Sequence, residues 1–290
     1  MGLRLKFNLV LLAVFALGFV VSGVMSWNLL HRNARDEVVR NAELLMEAAL
    51  AVRGYTVAQV KPHLDEKLEQ VFLPQTVPAY AATETLNQVR KKYPDYSYKE
   101  ATLNPTNPRD RAVEWETDVV NAFRNRADLK ELNGERSTPT GPALYVARPI
   151  QISNPACLAC HSVPDAAPAS MLKLYGRNNG FGWKHNEIIG AQVVSVPMAL
   201  PIENANRAFY TFMLSLAAVF IAVFVALNVM LSWIIIRPIA SMSAAADKVS
   251  IGDFTIPEFS EQGKDEVSVL ASSFNRMRRS LQQAMKIIEG

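Results

Sequence analysis

The chain has 290 residues, of which 50% are hydrophobic and 20% are charged, with 30 Lys and Arg against 27 Asp and Glu. This balance excludes a disordered tail and a wholly membrane-embedded transporter. The charges are unevenly placed, because none occurs in the 25 residues of 7–31 or in the 29 residues of 208–236. Both gaps are apolar, and a helix needs only about 20 such residues to cross a bilayer. We therefore predict membrane spans at 9–27 and 208–236, which excludes a soluble single-domain protein.

The charge of each remaining segment excludes another class of protein. Residues 28–207 contain 21 basic and 20 acidic residues, and residues 237–290 contain 7 of each. Nucleic-acid binding requires a face with an excess of Lys and Arg, and neither segment has such an excess. We expect no nucleic-acid partner.

The first span has features of both a signal peptide and an anchor. Arg4 and Lys6 give it a positively charged lead, as in a secretory signal. Its apolar stretch is nevertheless longer than the usual signal core of about 7–15 residues. We predict an uncleaved anchor with residues 1–8 in the cytoplasm, and a cleaved signal peptide is the alternative.

Between the spans, residues 28–207 are enough for one domain with its own core. Apolar residues at helical spacing predict a helix at 35–60, and we also predict helices at 82–92 and 109–127. Residues 143–150 and 187–196 are rich in β-branched side chains and predict strands. Helices followed by strands favour an α+β domain.

Both cysteines of the chain lie in the motif Cys157-Leu-Ala-Cys160-His161. This spacing is the attachment signature of a c-type haem, in which two thiols bond the porphyrin and the adjoining His binds the iron. A redox-active dithiol would not require His161. A zinc site needs four ligands, and only His63 and His185 could join this cluster. A disulfide between cysteines this close is rare, so covalent haem c is the favoured prediction.

The motif also predicts the topology of the chain. Covalent haem attachment takes place outside the cytoplasmic membrane, so we expect residues 28–207 to be periplasmic. The charges around the first span do not decide this, because Arg4 and Lys6 precede it while Arg32, Arg35 and Arg40 follow it. We expect a two-pass protein of the cytoplasmic (inner) membrane.

The second axial ligand of the iron is left open by the sequence. His63, His185, Met46 and Met171 all lie in the predicted haem domain. We favour Met46 or His185, and an open or exchangeable position is the alternative.

Groups that could bind the haem propionates are also present. Propionates need cationic or hydroxyl partners, for which the candidates are Arg53, Tyr55, Arg148 and Tyr175. Residues 175–183 contain three glycines and three aromatic residues, which predicts a tight loop. Its aromatic side chains could cover one face of the haem, and a plain packed turn is equally compatible.

Several segments of the middle domain together resemble a known family. The segments at 51–56, 76–81, 98–107, 157–168 and 180–183 are similar to the domain of unknown function 3365. The resemblance covers residues 38–198. It implies a c-type haem domain with a PAS-like fold, as found in bacterial membrane sensors. It also implies a haem set against an antiparallel sheet and flanking helices.

After the second span, apolar residues follow a heptad pattern in two stretches separated by a connector. The positions are Ile239, Met242, Ala246 and Val249, then Val267, Leu270, Phe274, Met277, Leu281, Ala284 and Ile288. Two short helices cannot bury such stripes alone, whereas a parallel dimer with four helices would. We therefore expect a homodimer.

The same tail resembles a HAMP domain, a signal relay found behind membrane helices. Pro238 follows the span, Gly252 opens the connector, and Asp265-Glu266 begins the second helix. The resemblance implies a helical bundle at 237–290 that transmits a change of packing and does not catalyse. A generic amphipathic helix beside the membrane is the alternative.

Together these features predict a homodimeric, membrane-anchored haem sensor of redox state or a small ligand. The signal would pass through the HAMP domain to a separate cytoplasmic protein, such as a kinase or a cyclase. A membrane-tethered monohaem electron carrier is the alternative. We expect no enzyme activity, because no Walker loop, catalytic triad or distal acid–base histidine is identifiable.

Overall fold

The structure is a computed structural model that describes residues 2–68, 70–126, 128–260 and 263–289. The chain divides into two compact units, one of Trp27–Ala208 and one of Met1–Ser26 with Phe209–Gly290. Three predicted features lie outside the described residues. They are the end of the third helix at Ala127, the heptad side chain of Ile288, and the last residue of the tail, Gly290.

Two long helices contain the predicted spans. They are α1 (Leu3–Tyr55) and a later helix, Ala199–Met230, which a π-helical turn, Leu231–Ile236, follows. Both are long and apolar enough to cross a membrane, and 0% and 6% of their most apolar windows are buried inside the protein. A core helix of a soluble protein would bury that surface, so the exposure fits a lipid environment. Phe15 and Phe220 stack between the two spans, with ring centroids 4.7 Å apart.

The unit of Trp27–Ala208 is built on a four-stranded antiparallel sheet with strand order β1-β4-β3-β2. The strands are β1 (Ser97–Thr102), β2 (Leu132–Thr138), β3 (Gly141–Gln151) and β4 (Ile188–Pro197). The predicted strands at 143–150 and 187–196 are β3 and β4, the two central strands. The sequence did not predict β1 and β2, which occupy the edges and carry more polar residues.

The long helix α1 covers one face of the sheet. Successive strand residues point to opposite faces, so Leu144 and Val146 of β3 share this face with Val194 of β4. They form one buried cluster with Val38, Ala42, Met46 and Ala49 of α1 and Ala82 and Leu86 of α2 (Pro78–Lys92). The small alanines let the helix lie close to the sheet. Each large apolar side chain buried here contributes about 1.5–3 kcal/mol.

The opposite face of the sheet is covered by α3 (Glu114–Asn125). Val119, Val120 and Phe123 pack on Ala101, Ala147, Ala191 and Val193 of three strands. The unit is therefore a mixed helix and sheet fold with helices on both faces, which agrees with the α+β prediction.

The predicted helix boundaries need corrections. The third helix begins at Glu114 rather than 109, because Pro108–Asp110 form a separate 3₁₀ turn and Arg111 is extended beside Thr102. The main-chain N–H of Val113 donates to the Glu116 carboxylate, which caps the helix at its observed start. The second helix begins earlier than predicted, at Pro78, and the prediction at 35–60 falls on α1 and the π-helical turn Thr56–Val60.

The haem motif lies between β3 and β4, in a region of short helices. These are α4 (Leu158–His161) and α5 (Ala169–Tyr175), with 3₁₀ turns at Pro155–Cys157 and Pro164–Ala166. The long helix Ala199–Met230, now α6, begins one residue after β4 ends. A strand at the centre of the sheet is therefore joined by Met198 alone to the helix that contains the second span.

Two further helices form the tail, α7 (Arg237–Ser250) and α8 (Glu266–Glu289). Ala245 and Val249 of α7 are buried against Phe274 of α8, with Phe254, Ile256 and Phe259 of the connector packed beside them. Gly252 has a φ of +87°, which suits the end of α7 because glycine adopts such angles without strain.

Only part of the predicted heptad stripe is buried within one chain. Met242, Val249 and Phe274 are buried. Ile239, Leu270, Met277 and Leu281 are instead 41–49% exposed. The connector and α7 therefore cover one side of α8 and leave other stripe positions uncovered.

Candidate functional site

The Cys157–His161 motif forms a compact helical corner. The turn Pro155–Cys157 leads directly into α4, and the side chain of Asn154 accepts a hydrogen bond from the N–H of Ala156 at 2.9 Å. Both cysteines are free thiols, with Cys157 exposed and Cys160 half-buried. Because the two cysteines are three positions apart within this helical corner, their side chains lie on one side of it. Burial raises the pKa of the Cys160 thiol, which keeps it protonated.

The ring of His161 is held in one tautomer. Its Nδ1 lies 2.8 Å from the carbonyl oxygen of Gly180. A carbonyl can only accept a hydrogen bond, so Nδ1 carries the hydrogen and Nε2 keeps its lone pair. Burial lowers the pKa of His161, which favours the neutral ring. This is the arrangement that a metal-ligating histidine requires.

The orientation of this ring is fixed by an aromatic neighbour. The indole of Trp183 stacks on the imidazole of His161, with centroids 3.9 Å apart and planes 16° from parallel. Trp183 lies in the loop predicted at 175–183, whose aromatic side chains could cover a haem face. In the structure Trp183 covers the ring of His161 itself.

Several hydrogen bonds hold that loop against the motif. Asn104, just after β1, accepts from the N–H of Gly180 at 3.2 Å and donates to the carbonyl of Phe181 at 3.1 Å. Two further main-chain hydrogen bonds join Gly182 to Ser162 and Trp183 to His161. The loop, the motif and the residues after β1 therefore form one hydrogen-bonded unit.

Gly180 is required at its position for two reasons. Its φ is +81°, an angle that other residues adopt only with strain. A Cβ atom there would also lie 2.0 Å from Oγ1 and 2.8 Å from Cα of Thr106. The main chains of the two segments therefore approach each other more closely than any other residue would allow.

The segment that follows α1 lies beside the motif. Lys61 and Asp65 are close enough to Cys160 to act on the charge of its thiol. The hydroxyl of Ser170 in α5 donates to the carbonyl of Leu68 at 2.6 Å. Tyr175 at the end of α5 meets Phe72 edge to face at 5.9 Å. Residues 61–68 and 70–72 therefore form a second wall next to α4 and α5.

Apolar side chains are exposed on these same segments. Val57, Val71, Val163 and Leu174 are 48–56% exposed. A contiguous exposed apolar patch often marks a ligand site. Two free thiols, an imidazole with an available Nε2 and apolar surroundings are the groups that a covalently bound porphyrin needs. The residues present therefore fit the haem that the sequence predicts.

The two arginines predicted to bind propionates are paired with carboxylates. Arg53 bonds both carboxylate oxygens of the buried Glu100 at 2.5 Å, and Tyr98 also donates to Glu100 at 2.7 Å. Arg148 donates to Glu47 at 2.6 Å and to Glu131 at 2.9 Å. Protein carboxylates therefore neutralise both guanidinium groups.

The two predicted tyrosines differ in their surroundings. Tyr55 at the end of α1 is 63% exposed. Tyr175 packs on Phe72, and burial raises the pKa of its hydroxyl. Of the predicted propionate residues, Tyr175 is the one placed on the elements beside the motif.

The residues considered as second axial ligands lie in different surroundings. Met46 is fully buried in the cluster between α1 and the sheet. His185 is exposed, and its Nε2 donates to the carbonyl of Ser153 at 3.2 Å. Met171 is buried in α5, and His63 is exposed. Which of them binds iron stays a prediction.

A zinc site is not supported by the arrangement of ligands. In the part of the chain that the structure describes, no group of three or more His, Cys, Asp or Glu side chains could hold a metal ion. Among the described residues, the motif therefore has no further protein ligands of the kind that zinc requires.

Sequence reasoning missed the residues that position His161. Asn104 and Thr106 precede the motif by more than fifty residues, and their contacts with Gly180 follow from the fold. Two signals were available: the family resemblance at 98–107, and the run of Asn, Pro and Thr at 104–108, whose prolines indicate turns. Neither signal indicates the partner of these residues.

Two glycines of the loop provide a matched test of the close approach between the loop and Thr106. We expect Gly182→Ala to cost about 1–3 kcal/mol, because its φ is +80° and nothing lies within 4 Å of the added Cβ. Gly180→Ala has the same backbone strain and also overlaps Thr106, so it should lose a further ~1–3 kcal/mol. Thermal unfolding followed by circular dichroism measures both. Equal losses would contradict the close packing of the loop on Thr106.

Comparison with known proteins gives two domain matches and two similar proteins. A sensory transducer protein of Acetivibrio thermocellus is 34% identical over 79 residues, which are 27% of this chain and 14% of that protein. The chain thus spans only a small part of that relative. The crystal structure of the cyanobacterial heme-protein Tll0287 covers 56% of this chain and 95% of its own, with 16% identity and a TM-score of 0.44.

The domain matches cover most of the chain. Residues 230–283 match the HAMP domain, which includes α7 and most of α8. Residues 31–197 match the Tll0287-like family, from within α1 to the end of β4. Because this match covers more than half of the chain, the protein belongs to the Tll0287-like family, and a HAMP domain follows its family domain.

Proposed function

We propose that this protein is a membrane-anchored c-type haem sensor that signals through its HAMP domain. The observation that carries the proposal is His161, whose Nδ1 is tied to Gly180 and whose Nε2 is available beside two free thiols. The chain belongs to the Tll0287-like family, and Tll0287 itself is a cyanobacterial heme-protein, which supports the same cofactor here. The sensed change would be the redox state of the iron or a small ligand bound to it.

The two thiols account for covalent attachment. Cys157 and Cys160 would each add across one vinyl group of the porphyrin, forming a carbon–sulfur bond while the thiol hydrogen passes to the neighbouring carbon. This addition needs no oxidant. His161 would bind the iron through Nε2. When bound, the haem supplies an iron centre that changes oxidation state or takes up a small ligand.

Burial distinguishes the two favoured second ligands. Met46 is fully enclosed in the core between α1 and the sheet, so withdrawing its side chain would leave a cavity there. Such cavities cost about 2–5 kcal/mol. His185 is exposed, and its ring donates a hydrogen bond to the carbonyl of Ser153. We therefore favour His185 over Met46.

The order of the elements along the chain supports a relay. Residues 38–49 of α1 pack on the sheet, and the same helix contains the first span. The central strand β4 is separated from α6 by one residue. We infer that a change in the haem domain passes to both spans and then to the HAMP domain. The receiving partner would be a separate cytoplasmic signalling protein, such as a kinase or cyclase.

The uncovered heptad positions support a homodimer. Ile239, Leu270, Met277 and Leu281 are large apolar residues that stay exposed in one chain. A second copy, related by a two-fold axis along the bundle, would cover them in a four-helix arrangement. We propose that the HAMP domain assembles in this way.

An electron carrier is the second candidate. The exposure of Cys157 would leave one edge of a bound haem near the surface, which suits electron transfer. An electron carrier would not need the HAMP domain at 230–283, whereas a sensor requires such a relay. The sensor is therefore the better account of the whole chain.

The first prediction tests covalent haem. The full chain, expressed with a haem-maturation system, should retain haem staining after denaturing electrophoresis. The double variant Cys157→Ala/Cys160→Ala should lose the stain, because both thioether bonds are removed. Ser162→Ala, next to the motif, is the matched control and should keep it. An unstained wild-type band, or an equally stained double variant, would rule out covalent attachment.

The second prediction concerns topology. A reporter enzyme active only outside the cytoplasm should be active when fused after Arg207. A fluorescent reporter that folds only in the cytoplasm should be bright when fused after Gly290. Together they measure the side of the membrane on which each unit lies. Export-dependent activity at Gly290 is the result that contradicts the proposed two-span topology.

The third prediction tests the dimer. Single cysteines at the exposed heptad positions, in Met277→Cys and Leu281→Cys, should form crosslinked dimers in membranes, since both face the proposed partner. Gln283→Cys is exposed on the same helix away from the stripe and should crosslink several-fold less. Crosslinking is measured as the dimer fraction after denaturing electrophoresis. Equal yields at all three positions would show that the stripe is not the dimer seam.

A further inference from the structure

A cavity of about 260 Å³ lies on the α3 side of the sheet, away from the haem motif. The beginning of α3 and residues of α2, β1, β4 and β2 line it. Its floor includes Lys99 and Val193, which are paired across β1 and β4, and Ser195, which is paired with Ser97. None of the proposed haem ligands lines it, so the role of this cavity is independent of the haem assignment.

The lining of this cavity carries an excess of positive charge. Arg90, Lys99, Arg109 and Arg136 face two carboxyl groups, Asp110 and Glu116, which gives a net lining charge of 4 − 2 = +2. Burial raises the pKa of Asp110 to about 6, so this carboxyl loses negative charge as the pH falls towards 6. The cavity therefore attracts anions.

Two of the four cations already have partners. Lys99 donates to Glu116 at 2.6 Å, and Arg109 lies 3.6 Å from Asp110. Arg90 and Arg136 form no ion pair with any carboxylate among residues 2–68, 70–126, 128–260 and 263–289. These two guanidinium groups therefore account for the excess charge.

The two unpaired arginines approach from opposite sides. Arg90 is on α2, which packs beside the edge strand β1, and Arg136 is on β2 at the other edge. Three strand spacings of ~4.8 Å separate those edges. Both side chains line the same cavity, so two anionic groups joined by a short spacer would match them.

A buried hydroxyl at the cavity wall supplies a second, independent sign of a ligand. Ser195 is only 5% exposed, and its Oγ has no hydrogen-bond partner in the part of the chain that the structure describes. Leaving a buried hydroxyl unpaired costs about 1–3 kcal/mol. Such groups are rare in folded proteins and require an explanation. The Oγ is itself covered in this conformation, so a ligand oxygen becomes its partner once the side chain rotates towards the cavity.

An aromatic side chain orients one of the two arginines. The guanidinium of Arg136 lies over the ring of Trp115, 4.3 Å from its centroid. This contact holds one flat face of the guanidinium against the ring. Its N–H groups are left to donate hydrogen bonds within the plane of the guanidinium. The indole also gives the cavity one apolar wall.

We propose that this cavity binds a small aliphatic dicarboxylate, with one carboxylate on Arg90 and the other on Arg136. Guanidinium groups bind carboxylates through paired, charge-assisted hydrogen bonds, which explains why arginines carry the unpaired charge. The Ser195 hydroxyl would donate to the ligand, and Trp115 would contact its carbon chain. The site is a second sensory input of the domain, separate from the haem.

Titration of the full chain, haem-matured and in detergent, tests this site. Succinate is the dicarboxylate probe, succinamide is its neutral counterpart of similar shape, and inorganic phosphate is the other oxyanion. We expect succinate to bind saturably by calorimetry and to raise the thermal midpoint. Succinamide should have no effect, and phosphate should bind at least tenfold more weakly than succinate.

Variants locate the binding. Arg90→Ala and Arg136→Ala should each weaken succinate binding at least tenfold. Lys91→Ala, an exposed cation next to Arg90 that does not line the cavity, should bind as the wild type does. Ser195→Ala should also bind more weakly, while its thermal midpoint without ligand should be no lower because an unpaired hydroxyl is removed. Ser137→Ala on β2 is its control.

Three results would overturn the proposal. They are the absence of saturable succinate binding, equal binding of succinate and succinamide, and the same affinity in the Arg90→Ala, Arg136→Ala and Lys91→Ala variants. Phosphate binding more tightly than succinate would also reject a dicarboxylate site in favour of a general oxyanion site.

Discussion

The hydrogen bond from Nδ1 of His161 to the carbonyl of Gly180 is the constraint on which the site depends. It leaves Nε2 as the ring's only acceptor, so it sets what the histidine can bind. It also requires the loop to return against α4, which only a glycine at a φ of +81° permits beside Thr106. Asn104 then holds the same glycine from the other side. The chemistry of one ring is thus built into contacts among three distant segments.

One short segment joins this site to the cavity on the sheet. Thr106 packs against Gly180 and lies near His161, while Arg109 and Asp110 line the cavity. Arg109 also binds Glu84 and lies over the ring of Tyr80, which connects the segment to α2. A displacement of residues 106–110 would therefore act on both the His161 site and the cavity. The geometry provides a physical route by which occupancy of the cavity and the state of the motif can influence each other.

The sequence predicted what depends on residue types at short spacing. The motif, the two apolar spans and the central strands β3 and β4 are all visible within windows of about 5–30 residues. The edge strands β1 and β2 were missed, because strands with a polar face carry a weaker pattern. Long-range ion pairs could not be predicted either. Arg53 and Arg148 are residue types that suit propionates. The fold instead pairs Arg53 with Glu100, and Arg148 with Glu47 and Glu131. Which carboxylate meets an arginine is decided by topology.

In the tail, a buried polar contact and an uncovered apolar stripe act together. Asn275 is fully buried, accepts from the N–H of Phe259 at 3.1 Å and donates to its carbonyl at 2.9 Å. An apolar side chain there would leave two main-chain groups unpaired, so the contact fixes the register of the connector on α8. The surface of α8 that is left free to change its packing then lies on the other side of the helix, at Met277 and Leu281. A signal that repacks this stripe can move α8 and its connector as one body without breaking the contact at Asn275.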